Sequence, residues 1–140
     1  NPPFRIAGTG RGAATQQKHR ARFEGPGGLG AFLACAARCL RPQGRLYMVH
    51  LAERLPDLLR QMGDAGLAPS RLLPVYGGDG PEAKPARLAL VEGVRGGRGG
   101  LTLLPGLALY GPGGALTAQA ADFCPFLAVN PHRAVRSPAP

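Results

Sequence analysis

A chain of 140 residues is long enough for one domain and too short for several. Apolar residues make up 44% of it against 22 glycines and 15 prolines, and they fall in periodic blocks, which excludes wholesale disorder. The formal net charge of +9 points to a polyanionic partner, most simply nucleic acid.

In chain order, Asn1-Pro2-Pro3-Phe4 opens a loop that continues through residues 5–23. This basic loop carries Arg5, Arg11, Lys18, Arg20 and Arg22, with no acid before Glu24. From Leu29 the pattern turns helical, with Leu29, Phe32, Leu33, Ala36 and Leu40 on one stripe. Pro42 and Gly44 end that helix. Residues 45–51 are nearly all apolar and predict a parallel strand buried on both faces. A second helix is expected over 54–65, with Leu55, Leu58, Leu59 and Met62 facing the core. Pro56 falls in its first turn and Gly66 stops it.

Residues 71–76 predict a short strand, which Pro74 demotes to a sheet edge. Residues 86–94 predict a longer strand, with loop between the two. Arg95-Gly-Gly-Arg98-Gly-Gly then reads as a flexible hairpin connection or an arginine-glycine RNA tether. An apolar segment over 101–110 is broken by Pro105-Gly106, and a last helix follows Thr117. Residues 129–140 are expected to be a disordered tail. Helix, strand, helix, then strands in succession describes an α/β sheet with an antiparallel end.

No apolar run approaches the ~18 residues of a membrane span, so no membrane role is expected. Cys35, Cys39 and Cys124 form no CxxC pair, so buried free thiols are expected rather than a metal site. Free thiols make a reducing, cytoplasmic compartment the default. His19 and His50 have no nucleophile or carboxylate at suggestive spacing and are given no catalytic role.

Asn1-Pro2-Pro3-Phe4 resembles the Asn/Asp-Pro-Pro-Tyr/Phe loop with which class I methyltransferases grip an amino or amide nitrogen, and the resemblance implies the following chemistry. The exocyclic amine of adenine is a poor nucleophile because its lone pair is delocalised into the ring. The side-chain oxygen of Asn1 and the backbone carbonyl of Pro2 can each accept one amine hydrogen. Holding both N–H groups favours a pyramidal nitrogen with a localised lone pair, which is positioning and electrostatics rather than strong base catalysis. The prolines fix φ, so the Pro2 carbonyl is presented rigidly. Phe4 offers a flat face to a flipped base. The competing reading is an ordinary turn.

Gly8, Ala13-Ala14, Gln16, Ala21-Arg22 and Glu24 follow that loop, then Leu33, residues 34–37, Gly44, the strand at 46–49 and Pro85-Ala86-Arg87. Leu101 to Leu103, Tyr110 and Leu116-Thr117 close the series. This order resembles the bacterial tRNA (adenine-N6) methyltransferase family over about residues 1–128. The specific elements are the Asn-Pro-Pro-Phe loop and the Ala-Arg-x-Glu neighbourhood. Phe4 stands where many members carry Tyr, and Leu116 where a Tyr often precedes the Ser/Thr.

The resemblance implies the C-terminal half of a Rossmann-like class I methyltransferase sheet, with its final strand placed between the two before it. It makes Asn1 and Pro2 catalytic, and Pro3 and Phe4 substrate-binding. The basic loop adds Arg20 and Arg22 as contacts to tRNA or another RNA. S-adenosyl-L-methionine is the implied cofactor. Its glycine loop and acidic ribose-binding residue are expected upstream of residue 1, in a missing N-terminal half without which the chain is inactive. Gly8-Thr9-Gly10-Arg11-Gly12 is not that loop, because it lacks a preceding strand and an acid ~20 residues on. The same acceptor loop also fits a release-factor glutamine or an rRNA guanine amine. A non-catalytic basic RNA-binding module would explain the charge alone.

Overall fold

The computed structural model describes residues 28–78 and 84–129. Helix α1 spans Gly28–Cys39, strand β1 Arg45–Leu51 and helix α2 Leu55–Asp64, entered through a 3₁₀ turn at Ala52–Arg54. Strand β2 spans Leu67–Tyr76 and β3 Leu88–Arg95. Two short strands follow, β4 at Thr102–Leu103 and β5 at Leu107–Ala108. Helix α3 at Ala118–Phe123 comes last before a 3₁₀ segment.

The strands form one mixed sheet in the order β1-β3-β2-β4, with β5 further along the same edge of β2. β3 is antiparallel to both β1 and β2, so those two run in the same direction with β3 between them. β4 and β5 are parallel to β2. This is the arrangement the sequence implied for the last three core strands.

Helices α1 and α2 cover one face of the sheet. Met48, Leu72, Ala89 and Val91 meet Leu29, Leu33, Leu58 and Met62 in the core. The stripe predicted for α2 is correct, with Leu58 and Met62 both 0% exposed. Gly66 follows α2 at φ +73, a conformation that favours a residue without Cβ. Thr117 caps α3, its Oγ1 accepting from the Ala120 amide at 3.0 Å.

Four expectations are corrected. β1 has the predicted bounds, but only Met48 and His50 are buried, while Tyr47 on the other face is exposed. Helices α1 and α2 both lie on the Met48 face, so apolar composition alone did not reveal which side of the strand is covered. β2 is longer than 71–76, and it is interior rather than an edge. The Leu72 and Tyr76 carbonyls accept from the Leu104 and Leu109 amides on the β4–β5 side. Strand alternation turns the Pro74 nitrogen to that same side, where Pro105-Gly106 interrupts the pairing. A missing donor costs nothing at a gap. Gly106 is required there, since a Cβ would sit 2.3 Å from the Tyr76 ring.

The connection after β3 is not a hairpin, because β4 pairs with β2. Finally, Cys35 and Cys39 are exposed and Cys124 is half-buried, all as free thiols. The core stripe of α1 runs through Leu29 and Leu33, and the cysteines lie off it.

Candidate functional site

In an open α/β sheet, ligands bind outside the carboxyl ends of the parallel strands. Here that rim is formed where β1 ends, beside the segment that enters β3. A cleft of about 360 Å³ opens there between Leu51, Glu53 and residues 84–87. Its floor is fixed by the Ala52 amide, which donates to the Arg87 carbonyl at 2.9 Å. Lys84, Arg87 and Glu53 are exposed around it. His50 is fully buried just below, its Nδ1 3.4 Å from the Leu51 carbonyl oxygen. The cleft therefore offers charge and shape, which suit binding and positioning.

Asn1, Pro2, Pro3, Phe4, Arg20 and Arg22 lie outside the described residues. So do the glycines at 8–12, His19, Glu24 and the tail from residue 130. Of the positions that carried the resemblance, Leu33 is in the core. Pro85-Ala86-Arg87 borders the cleft at the β1 end. Arg95 belongs to β3 rather than to a tether, and its guanidinium donates to the Leu40 carbonyl at the end of α1.

One charged group was not anticipated. Glu92 lies on the sheet face opposite α1 and α2, only 4% exposed. A β-bulge between Pro69 and Arg71 leaves Ser70 as the extra residue. It turns the Ser70 hydroxyl onto the Glu92 Oε1 at 2.6 Å. Arg45, from β1, donates to the same oxygen at 2.7 Å. The Ser70 hydrogen bond holds the Glu92 carboxyl below its ordinary value; burial opposes this, and Tyr47 and Arg45 reinforce it. A single acid among apolar neighbours at 88–94 was the visible signal. Its partners depend on strand register and a bulge, which no local pattern encodes.

A carboxyl that is more acidic folded than unfolded stabilises the protein above its ordinary value of 4.5. That contribution is lost as pH falls through the folded value, because the unfolded chain then binds the proton more tightly. Glu92→Gln is expected to flatten the fall of Tm with pH below 4.5, measured by thermal melts between neutral pH and about pH 3. Asp57, lowered by Gln61 and Arg60, leaves some acid sensitivity in the variant. Parallel pH profiles for parent and variant would remove Glu92 from the account.

The same face holds an open cavity of about 510 Å³, floored by Val49, Leu73 and Leu90 and bordered by Leu104 and Phe123. Among the described residues no helix packs across its centre. Strands apolar on both sides normally carry cover on both. Among the described residues no helix is long and apolar enough to cross a membrane.

No protein-family model matches the sequence, and no curated protein matches it significantly. Among solved structures, the chain is similar to a predicted O-methyltransferase, protein Atu636 from Agrobacterium tumefaciens, at 18% identity and a TM-score of 0.58. The match covers 66% of this chain and 43% of that one, so the chain spans less than half of its neighbour's length. At this identity the likeness shows the fold. The described residues have a methyltransferase-like, Rossmann-type α/β fold.

Proposed function

We propose that the chain is the carboxyl-terminal part of an S-adenosylmethionine-dependent methyltransferase that modifies the exocyclic amine of adenine in tRNA. The carrying observation is the strand order: an antiparallel β3 between the parallel β1 and β2, in a chain whose sequence opens with Asn-Pro-Pro-Phe. The 43% span of the neighbour supports a larger parent domain.

In this reading Asn1 Oδ1 and the Pro2 carbonyl accept the two amine hydrogens, and Phe4 stacks on the flipped base. The three contacts hold the nitrogen with its lone pair pointed at the methyl donor. S-adenosylmethionine supplies the electrophilic methyl group. No residue of this chain is assigned to holding it, because the glycine loop is expected in the upstream half. Arg20 and Arg22 neutralise phosphates beside the base. Lys84 and Arg87 on the β1 rim add positive charge of their own.

The acceptor chemistry is what favours a planar nitrogen over a hydroxyl. It does not separate adenine from a glutamine amide or a guanine amine, whereas the basic loop favours RNA. A non-catalytic RNA-binding module shares the charge but needs no acceptor loop, so it predicts that Asn1 and Phe4 are replaceable.

Phe4→Ala is expected to weaken capture of the base by roughly 1–3 kcal/mol, or about 5–150-fold in the Michaelis constant for tRNA. Steady-state kinetics on an unmodified tRNA transcript measure it. An unchanged Michaelis constant and turnover would favour the binding module. Replacing Arg20 and Arg22 by Gln should raise the same constant and flatten its salt dependence without abolishing transfer.

A further inference from the structure

The rim opposite the cleft, where the parallel strands begin, is also basic. Hydrogen bonds lock three turns together there. The Gln43 amide donates to the Arg95 carbonyl at 2.9 Å, and the Gly96 amide to the Gly66 carbonyl at 3.0 Å. The Gln43 side-chain Nε2 donates to the Gly96 carbonyl at 3.1 Å. A crevice of about 580 Å³ lies among them, lined by Arg38, Gln43, Ala65 and Arg95, with no acid in its wall among the described residues. Arg38, Arg41 and Arg98 are exposed at or beside this rim. Among the described residues none of the three is in an ion pair. Asp64, at the end of α2, is engaged by Arg60 at 2.9 Å.

From these residues we infer a second RNA contact, made by the phosphodiester backbone with Arg38, Arg41 and Arg98, at the rim opposite the cleft beside Leu51. The inference rests on the proposed RNA partner, and it adds residues to which that reading gave no role.

Two physical arguments select a polymer over a small anion. Helices α1 and α2 both end at this rim, so their carbonyl ends lend the crevice floor partial negative charge. Arg95 is already spent on the Leu40 carbonyl. An isolated phosphate in the crevice would meet those dipoles, whereas phosphates along the rim meet the exposed side chains of Arg38, Arg41 and Arg98. The second argument is distance. β1 has 7 residues, which at ~3.3 Å per residue sets the two rims about 20 Å apart. No single nucleotide reaches both rims, while a folded RNA does. Arginine's planar fork suits phosphate oxygens.

The test is equilibrium binding of an unmodified tRNA transcript, by fluorescence anisotropy over a salt series. Five proteins are compared: the parent, Arg38→Gln/Arg41→Gln/Arg98→Gln, Arg98→Gln alone, Arg20→Gln/Arg22→Gln, and Arg60→Gln. Each lost phosphate contact should make the slope of log K against log salt shallower by about 0.7–0.9. The rim triple variant is expected to lose about 2–3 in slope, Arg98→Gln alone about one third of that, and Arg60→Gln nothing. Circular dichroism melts verify that the variants fold. An unchanged slope in the triple variant with a shallower one in Arg20→Gln/Arg22→Gln overturns this inference and leaves the proposed substrate loop standing. Unchanged slopes in both overturn the RNA partner as well. Loss of binding to phosphatidylserine vesicles in the triple variant, with tRNA binding intact, would assign the rim to a membrane surface and overturn it too.

Discussion

Asn1→Ala is expected to lower the turnover of tRNA methylation by about 10²–10³, the usual effect of deleting one preorganised contact to a transition state. The Pro2 carbonyl remains and still holds one amine hydrogen, so the variant retains weak activity. The loss should fall on kcat more than on the Michaelis constant. An amide hydrogen bond to an sp² amine is modest, and it strengthens only as the nitrogen pyramidalises and becomes more acidic. This split separates Asn1 from Phe4, whose stacking acts mainly on capture. Single-turnover kinetics on saturating tRNA measure it. Near-parental turnover in Asn1→Ala would leave the tetrapeptide as a turn.

The second large effect is expected in stability. Leu58 is 0% exposed and stands in the stripe by which α2 joins α1 and the sheet. Leu58→Ala removes buried methyl and methylene groups and leaves a cavity, at a cost of about 2–5 kcal/mol. For a domain of this size that corresponds to a fall in Tm on the order of 10 °C. The substitution lies on the face away from Glu92, and kcat at permissive temperature should hold. Differential scanning calorimetry beside the methylation assay distinguishes the two variants. Asn1→Ala should lose rate and keep Tm, and Leu58→Ala the reverse. A Tm within about 1 °C of the parent would show that α2 is not packed as described.

What was legible in the sequence is what local chemistry controls. β1 was bounded correctly because Gly44 precedes it and the 3₁₀ turn at Ala52–Arg54 follows it. The helices were legible from stripes and stop signals, and Thr117 marked the start of α3 through its own capping oxygen. The errors share one origin, which is that partners across a sheet are not encoded nearby. Pro74 was taken for an edge residue because its rule assumes a continuous neighbour, and the neighbour is broken at Pro105-Gly106. Cys35 and Cys39 were counted as core because their helix is apolar almost all round, so spacing did not choose a face. Glu92 escaped notice because Ser70 and Arg45 reach it from two other strands. The acceptor loop is the opposite case. Its proposed chemistry rests on four letters alone, and those four residues lie outside the described residues.

Unmodified tRNA incubated with the complete enzyme and methyl-labelled S-adenosylmethionine, then digested to nucleosides, gives the most direct answer. The predicted product is labelled N6-methyladenosine, formed by the parent and reduced by about 10²–10³ in Asn1→Ala. Label in methylguanosine, or no transfer to the tRNA, would contradict an adenine-amine methyltransferase.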